Sequence, residues 1–522
     1  MRHSLLLILA LVGIACAAGN PALIAAADDL QTQSPTTTVQ SFTAVEGADL
    51  MAKLDAAQTR ARARQTPYWS AYTFDVRPGV AIDPAIRDFN GSINTMGDTT
   101  VFVGTTSTGM TVETRNLAIF VLRDPSSNQI TRMEVYNLER KREYSGYPVY
   151  WLGRANNEES LNYLRAIAAA TPLDMLSERA VLSIALHDDS RVAGMLKNFV
   201  STSPNQRIRS TSVYWLGQVG GEQTFLASLV RNESEDNKIR HSAAHAIGHS
   251  RDRGTVATLQ GLYETLKDAP IRRSVIAAVG HSIDEQPAFT FLLNVAKNDP
   301  DWESRRTAVK QMGHFQREDA AEELMKIYNT DANIEVKRAA VRSLAETKNP
   351  RAQVRLLEIA RSDASADLRK TAIRALSNRG EAAVEDLLKL FDSEQSADVR
   401  RAVLQSLSDI KSTRVEDKLF EVARSNDAVD VRRQAIRLLG ERAGKRSFDF
   451  LSQTAQSSTG DAEVQVQAVR AISERRAEES VPLLIKIAKT HPNQLVRKQA
   501  IRSLGESGDP RAIDFFREVL SK

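Results

Sequence analysis

The sequence predicts a mostly α protein, a right-handed α-solenoid of about twelve short helix pairs preceded by a small antiparallel β region. Two observations carry that expectation. A ten-residue pattern returns along most of the chain at a nearly constant interval, and the stretch before it is rich in aromatic and β-branched residues in runs of strand length.

The pattern is clearest in VRRQAIRLLG from Val431 and VRKQAIRSLG from Val496. It has an aliphatic anchor, a basic neighbour, Ala four residues on, then an aliphatic residue and Gly. Aligned on the anchor, the copies begin at Leu176, Ile208, Ile239, Ile271, Ser304, Val336, Leu368, Val399, Val431, Val464 and Val496, each 31 to 33 residues after the last. Ser304 is the one polar anchor. VYWLGR from Val149 repeats the residues of VYWLGQ from Val213, and it reads as an earlier, divergent copy that starts the array near Tyr144. Within a unit, AQVRLLEIARS (Ala352 to Ser362) has an apolar period of 3.6, and DLRKTAIRALS (Asp367 to Ser377) follows a short polar turn, so each unit predicts two helices. Asn349-Pro350 and Asp509-Pro510 open first helices, because Pro has no N–H to leave unpaired there and Asn or Asp can cap the exposed donors. One such pair cannot bury its apolar face, whereas stacked pairs share a continuous core.

These residues, V-R-x-x-A-I-R-x-L-G followed by D-P-R-A, resemble the short HEAT-like repeats, including the phycobilisome lyase type, over residues 144–522. The resemblance implies a curved array of antiparallel helix pairs whose second helices line the concave side, with protein binding as the usual function. It implies no single activity, since the fold hosts many.

At the start of the chain, MRHSLLLILALVGIACAAG has a basic residue followed by a short apolar run, and Ala25-Ala26-Ala27 offers a small-residue cleavage site. Residues 1–27 are expected to be a signal peptide, the mature chain to begin at Asp28, and the protein to be periplasmic or secreted. Cys16, the single cysteine, leaves with that peptide, so the mature chain is expected to hold together without disulfides. A lipid anchor at Cys16 is disfavoured, because Gly13 stands where lipoproteins carry an aliphatic residue. No other run is long and apolar enough to cross a bilayer. Residues 28–66 hold a Thr-rich linker, QTQSPTTTVQSF, and a stretch predicted as one helix, GADLMAKLDAAQTRARARQ. Residues 67–143 carry the strand-like runs YWSAYTFDV, TVFVG, TVETRNLAIFVLRD and QITRMEVYNLER, with a hairpin turn at Asp124 to Asn128, and are expected to cap the open end of the array.

With 42% hydrophobic and 26% charged residues the composition is globular, and 522 residues exceed what one compact core serves. A net charge of +4 is too small for this length to name a partner. Phosphate-loop, G-x-S-x-G, H-E-x-x-H and C-x-x-C motifs are absent, so no enzyme and no cofactor are expected.

HSAAHAIGHS places His241, His245 and His249 at i, i+4 and i+8. His241 occupies the helix position at which deoxyhypusine hydroxylase, a HEAT-like protein, presents His-Glu pairs to iron. Here Ser242 replaces the Glu, the aligned positions hold Ser210 and Arg273, and no histidine in the chain precedes a Glu, so that chemistry is not expected. A metal-binding or catalytic protein centred on His241 and His245 is the alternative function, since that pair could supply two ligands. His249, His281 and His314 each follow a glycine and read as histidines at helix C-termini. Two of them could share an ion, but helix layers 8 to 10 Å apart prevent three in a row from converging. No metal ligand is assigned.

Second-helix positions carry Arg338, Lys370, Arg401, Arg433 and Lys498, and four residues later Arg342, Arg374, Arg437, Arg470 and Arg502. Residues four apart share a helix face, so two basic rows are expected side by side on the concave surface. Arg369, Arg400 and Arg432, one residue before the first row, are expected in an internal ladder with Asp367, Asp398 and Asp430. The sequence thus predicts an exported, non-catalytic scaffold for protein–protein interaction, with an acidic partner on the two rows and no nucleic acid.

Overall fold

The computed structural model describes residues 42–83, 90–96, 99–105, 114–170, 174–347, 349–442 and 444–521. The expected signal peptide, its cleavage site, Cys16 and most of the Thr-rich linker lie outside the described residues.

Eleven helix pairs follow one another from Asn157 to Ser507, and one further helix, Pro510–Leu520, comes after them. Each aligned anchor sits on the second helix of its pair and is buried, with none more than 5% exposed. Ser304 is tolerated among aliphatic anchors because its Oγ lies 2.9 Å from Oδ2 of Asp301, the residue that caps its own helix. Side-chain caps recur where the sequence places them: Asn333 accepts from the Glu335 amide, Asn349 from Arg351 and Asp509 from Arg511, the last two beside Pro350 and Pro510 in the first helical turn. The chain divides into two compact units between Asp284 and Glu285, with four pairs in the first and seven in the second.

At three of the places where glycine closes the pattern, it lies against the neighbouring second helix. A Cβ at Gly217 would collide with the carbonyl oxygen of Ala246, one at Gly248 with that of Ala278, and one at Gly440 would lie 2.7 Å from the Cβ of Ala471. Glycine is needed at these three places for the close approach of a neighbouring helix, and the partner residues are correspondingly small.

A second device repeats from unit to unit. The basic residue after the anchor folds back on the end of its own first helix and reaches the turn of the next unit. Arg240 Nε donates to the Val230 carbonyl and Arg240 Nη1 lies 2.9 Å from Asp268. Arg305 bonds the Asp299 carbonyl and Asp331 at 2.7 Å, and Arg369 bonds the Asp363 carbonyl and Glu394 at 3.1 Å. Arg400 pairs with Asp427 at 2.7 Å, and Arg432 pairs with Asp461. Gln465, which stands at the same position, donates to the carbonyls of Ser457 and Thr459. Carbonyls left over at a helix end thereby gain donors. The ladder exists, but its acids are not the expected Asp367, Asp398 and Asp430. Those three stand in the first turn of the second helix, three residues before Lys370, Arg401 and Arg433, and pair with them instead.

The described residues before the array form one helix, Leu50–Arg64, capped by Asp49, and two sheets. The strands are β1 (Thr43–Ala44), β2 (Tyr68–Thr73), β3 (Val80–Ile82), β4 (Asn90–Met96), β5 (Thr99–Thr105), β6 (Leu117–Arg123), β7 (Ile130–Asn137) and β8 (Val149–Arg154). A five-stranded sheet runs β1-β8-β2-β6-β7 and a three-stranded antiparallel sheet runs β3-β5-β4. The expected hairpin joins β6 to β7, with Asp124 Oδ1 accepting from the amides of Ser126 and Ser127. Two expectations are corrected. The larger sheet is mixed, because β8 runs parallel to both β1 and β2. VYWLGR is β8 itself, so the helical array begins at Asn157 and not near Tyr144. The identical VYWLG at Val213 to Gly217 is helical, which shows that pairing with β1 and β2 overrides the local pattern.

One sheet face buries an aromatic cluster of Phe42, Trp69, Phe120, Tyr136, Tyr144 and Trp151. The first helix pair, Asn157–Ala170 and Asp174–Ala185, is held by polar contacts: Glu134 of β7 pairs with Arg179 at 3.3 Å, both nearly buried, and Tyr72 of β2 lies 3.1 Å from Ser160 Oγ. Ser160 in turn lies 2.8 Å from His187 Nε2. The Ser183 carbonyl oxygen lies 2.7 Å from His187 Nδ1 and can only accept, so Nδ1 carries the proton and Nε2 accepts from Ser160. His187 is 2% exposed, and burial pushes its pKa down to about 4.

Arg305→Ala strands Asp331 in a largely buried turn and should lower the unfolding free energy by about 2 kcal/mol, whereas Arg401→Ala on the surface should change it by less than about 0.5 kcal/mol; urea denaturation of both variants makes the comparison. His187 binds its proton more weakly folded than unfolded, so it costs stability as pH falls from its ordinary 6.5 towards 4. Between pH 7 and pH 5 wild type should lose about 2 kcal/mol more than His187→Gln; equal losses in the two proteins would show that the imidazole is not held neutral.

Candidate functional site

Three of the histidines singled out by the sequence come together in the first unit. Helix Asn237–Gly248, capped by Asp236, ends where Gly248 backs onto Ala278 of helix Ala269–Val279. His249 is the C-cap residue, and its backbone N–H bonds the carbonyls of His245 and Ile247. His281 follows Gly280 at the end of the neighbouring helix. The His249 and His281 rings stack at 4.4 Å, and His245 lies 6.4 Å from His249 and 6.1 Å from His281. A nitrogen of each lies within 4.8 Å of the other two. Burial, then His281 and His245, push the His249 pKa down to about 4, and burial followed by His241 lowers that of His245.

The grouping differs from the sequence expectation. His241 is not part of it, since its Nδ1 bonds the Ser274 hydroxyl. His314 belongs to the second unit and stands 3.5 Å from Glu346. His249 places its backbone, not its ring, on the helix-end carbonyls, which leaves the imidazole free to meet its neighbours. Convergence of His249 and His281 with His245, rather than with His314, is what spacing within one helix does not reveal.

The basic rows lie on the second helices of the later units. Arg338 pairs with Glu335, Lys370 with Asp367, Arg401 with Asp398, and Arg433 with Asp430 and Glu463. In the other row Arg437 pairs with Glu441 and Arg502 with Glu506, and Arg470 donates to the Gln499 side chain at 3.2 Å. Arg342, Arg374 and Lys498 are exposed and make no ion pair among the described residues. Lys498 lines a surface groove of about 330 Å³ with Arg433, Glu463, Arg470, Leu495 and Arg502, and Leu495 is 59% exposed.

Ser160 and His187 have the separation of an activated nucleophile and its base, yet they are 0% and 2% exposed and Tyr72 occupies the remaining side of the hydroxyl. No helix among the described residues is long and apolar enough to cross a membrane.

A family model described as HEAT repeats matches residues 289–377, 354–440, 384–461 and 449–522. No curated protein sequence matches the chain. Among solved structures, yeast importin-β (Kap95p) aligns at 10% identity over 69% of this chain and 55% of its own, with a TM-score of 0.35. The CpcE–CpcF complex of phycocyanin lyase from Nostoc aligns at 18% identity, over 48% and 92%, with a TM-score of 0.24. Human deoxyhypusine hydroxylase aligns at 16% identity, over 55% and 96%, with a TM-score of 0.23. The chain spans 55 to 58% of the Kap95p chains it matches. Overlaps this partial transfer neither activity nor partner. Residues 289–522 match HEAT repeats by sequence, and the helix pairs that run from Asn157 onward give the chain the fold of a HEAT-like α-solenoid.

Proposed function

We propose that the protein is an exported, non-catalytic scaffold that binds an acidic protein partner on the outward rows of its second helices. The observation that carries this reading is the set of exposed cations without an acid beside them. Most of the basic rows are neutralised locally and attract little, whereas Arg342, Arg374 and Lys498 keep their charge available. Lys498 shares its groove with the exposed Leu495, and a basic rim around an apolar side chain suits a protein surface with an acidic border and an apolar anchor. The sealed Ser160–His187 contact argues against nucleophilic use of that pair. Export rests on the basic start, the short apolar run and the Ala25-Ala26-Ala27 site.

Reversing Arg342, Arg374 and Lys498 to Glu should abolish salt-sensitive capture of the partner from extract of the source cells, while helicity and the melting temperature stay at wild-type values. A triple variant that captures the same protein equally well at low ionic strength would remove this surface from consideration.

A further inference from the structure

We propose that His245, His249 and His281 bind a single divalent transition-metal ion of the zinc type, with a fourth coordination position open to solvent. The three nitrogens already lie within 4.8 Å of one another. Tetrahedral coordination at about 2.0 to 2.1 Å per bond places donors about 3.3 Å apart, so closure needs only ring rotations of about an ångström. His245 and His281 are exposed and His249 half-buried, which leaves them room to make that movement.

Three features mark this position in the array. The other histidines described have oxygen partners: His187 has Ser183 and Ser160, His241 has Ser274, His314 has Glu346 and His491 has the Ser457 carbonyl. The imidazoles of His245 and His249 have no hydrogen-bond partner among the described residues. Next, two later units fill the positions of His245 and His249 with an ion pair, Arg437 with Glu441 and Arg502 with Glu506. Here both members are imidazoles, and the aligned position of the next second helix holds Ala277, where later units carry Arg342 and Arg374. No fixed cation from that position opposes an ion. Finally, the ligands sit at the ends of two helices locked by the Gly248–Ala278 contact, so little ordering remains to be done on binding. An all-imidazole donor set selects zinc, copper or nickel over magnesium and calcium. No other His, Cys, Asp or Glu among the described residues joins the group, so the fourth ligand is water or a group brought by a partner.

The test is equilibrium dialysis of the tag-free full chain against zinc(II), followed by elemental analysis, with cobalt(II) absorption reporting coordination. One ion per chain should be retained in excess magnesium. His249→Ala and His281→Ala should each weaken retention on the order of 100-fold or more, and His314→Ala should not. Ala277→Arg keeps all three ligands but drives a guanidinium against them, and should also prevent loading. Circular dichroism confirms that each variant is folded. Wild type that retains no stoichiometric zinc would overturn the site, as would retention unchanged in a folded His249→Ala/His281→Ala double variant.

Discussion

Second helices approach so closely at Gly217 and Gly248 that neither has space for a methyl group. This contact brings the helices to a separation at which their outward positions form continuous rows. The same approach lets an arginine at the end of one helix reach the turn acid of the next unit, as Arg240 does with Asp268. It also carries His249 to within stacking distance of His281. Burial of anchors such as Val336, Val431 and Val496 drives each pair together, but non-directional burial does not by itself set register. Close-packed backbone does, because it leaves one depth of insertion free of overlap.

Arginine has two roles here, and depth separates them. One residue past the anchor, Arg305 and Arg369 are largely withdrawn from solvent, satisfy helix-end carbonyls and pair with acids that are themselves nearly buried. Such pairs are costly to break from one side, which makes them markers of register. Two residues past the anchor the side chains turn outward, and pairs such as Arg401 with Asp398 are exposed and weak. Their principal effect is to cancel charge, which leaves Arg342, Arg374, Arg470 and Lys498 as the members of the two rows without an acid partner among the described residues.

Much of this was legible in the sequence. The anchors, the two helices per unit, the Asn-Pro and Asp-Pro starts, the Asp124 hairpin and the helix after Asp49 all depend on local chemistry, and local chemistry is what periodicity and capping rules encode. What escaped depends on neighbours far along the chain. VYWLG is a strand at Val149 and a helix at Val213, and only pairing with β1 and β2 distinguishes them. The parallel direction of β8 escaped for the same reason. The ladder arginines were identified but given the wrong acids, because spacing along one helix cannot show that a turn acid of the following unit lies nearer. Of the histidines, the i, i+4 spacing highlighted His241, which Ser274 engages, and missed that the cap geometry of His249 turns its ring towards His281.

Glycine at Gly217 and Gly248 closes the pattern because helices touch there, and not because the local backbone needs it. Gly217 and Gly505 both lie inside second helices, nine residues past their anchors, yet a Cβ at Gly505 would have Phe516 Cζ as its nearest neighbour at 4.0 Å while one at Gly217 would collide with backbone. Urea denaturation of Gly217→Ala and Gly505→Ala tests the claim directly. Alanine favours a helix over glycine by about 1 kcal/mol, so Gly505→Ala should be neutral or more stable than wild type, and Gly217→Ala should lose about 1 to 3 kcal/mol despite the same propensity gain. Stabilisation of both variants would mean that the contact between second helices does not set the register of this array.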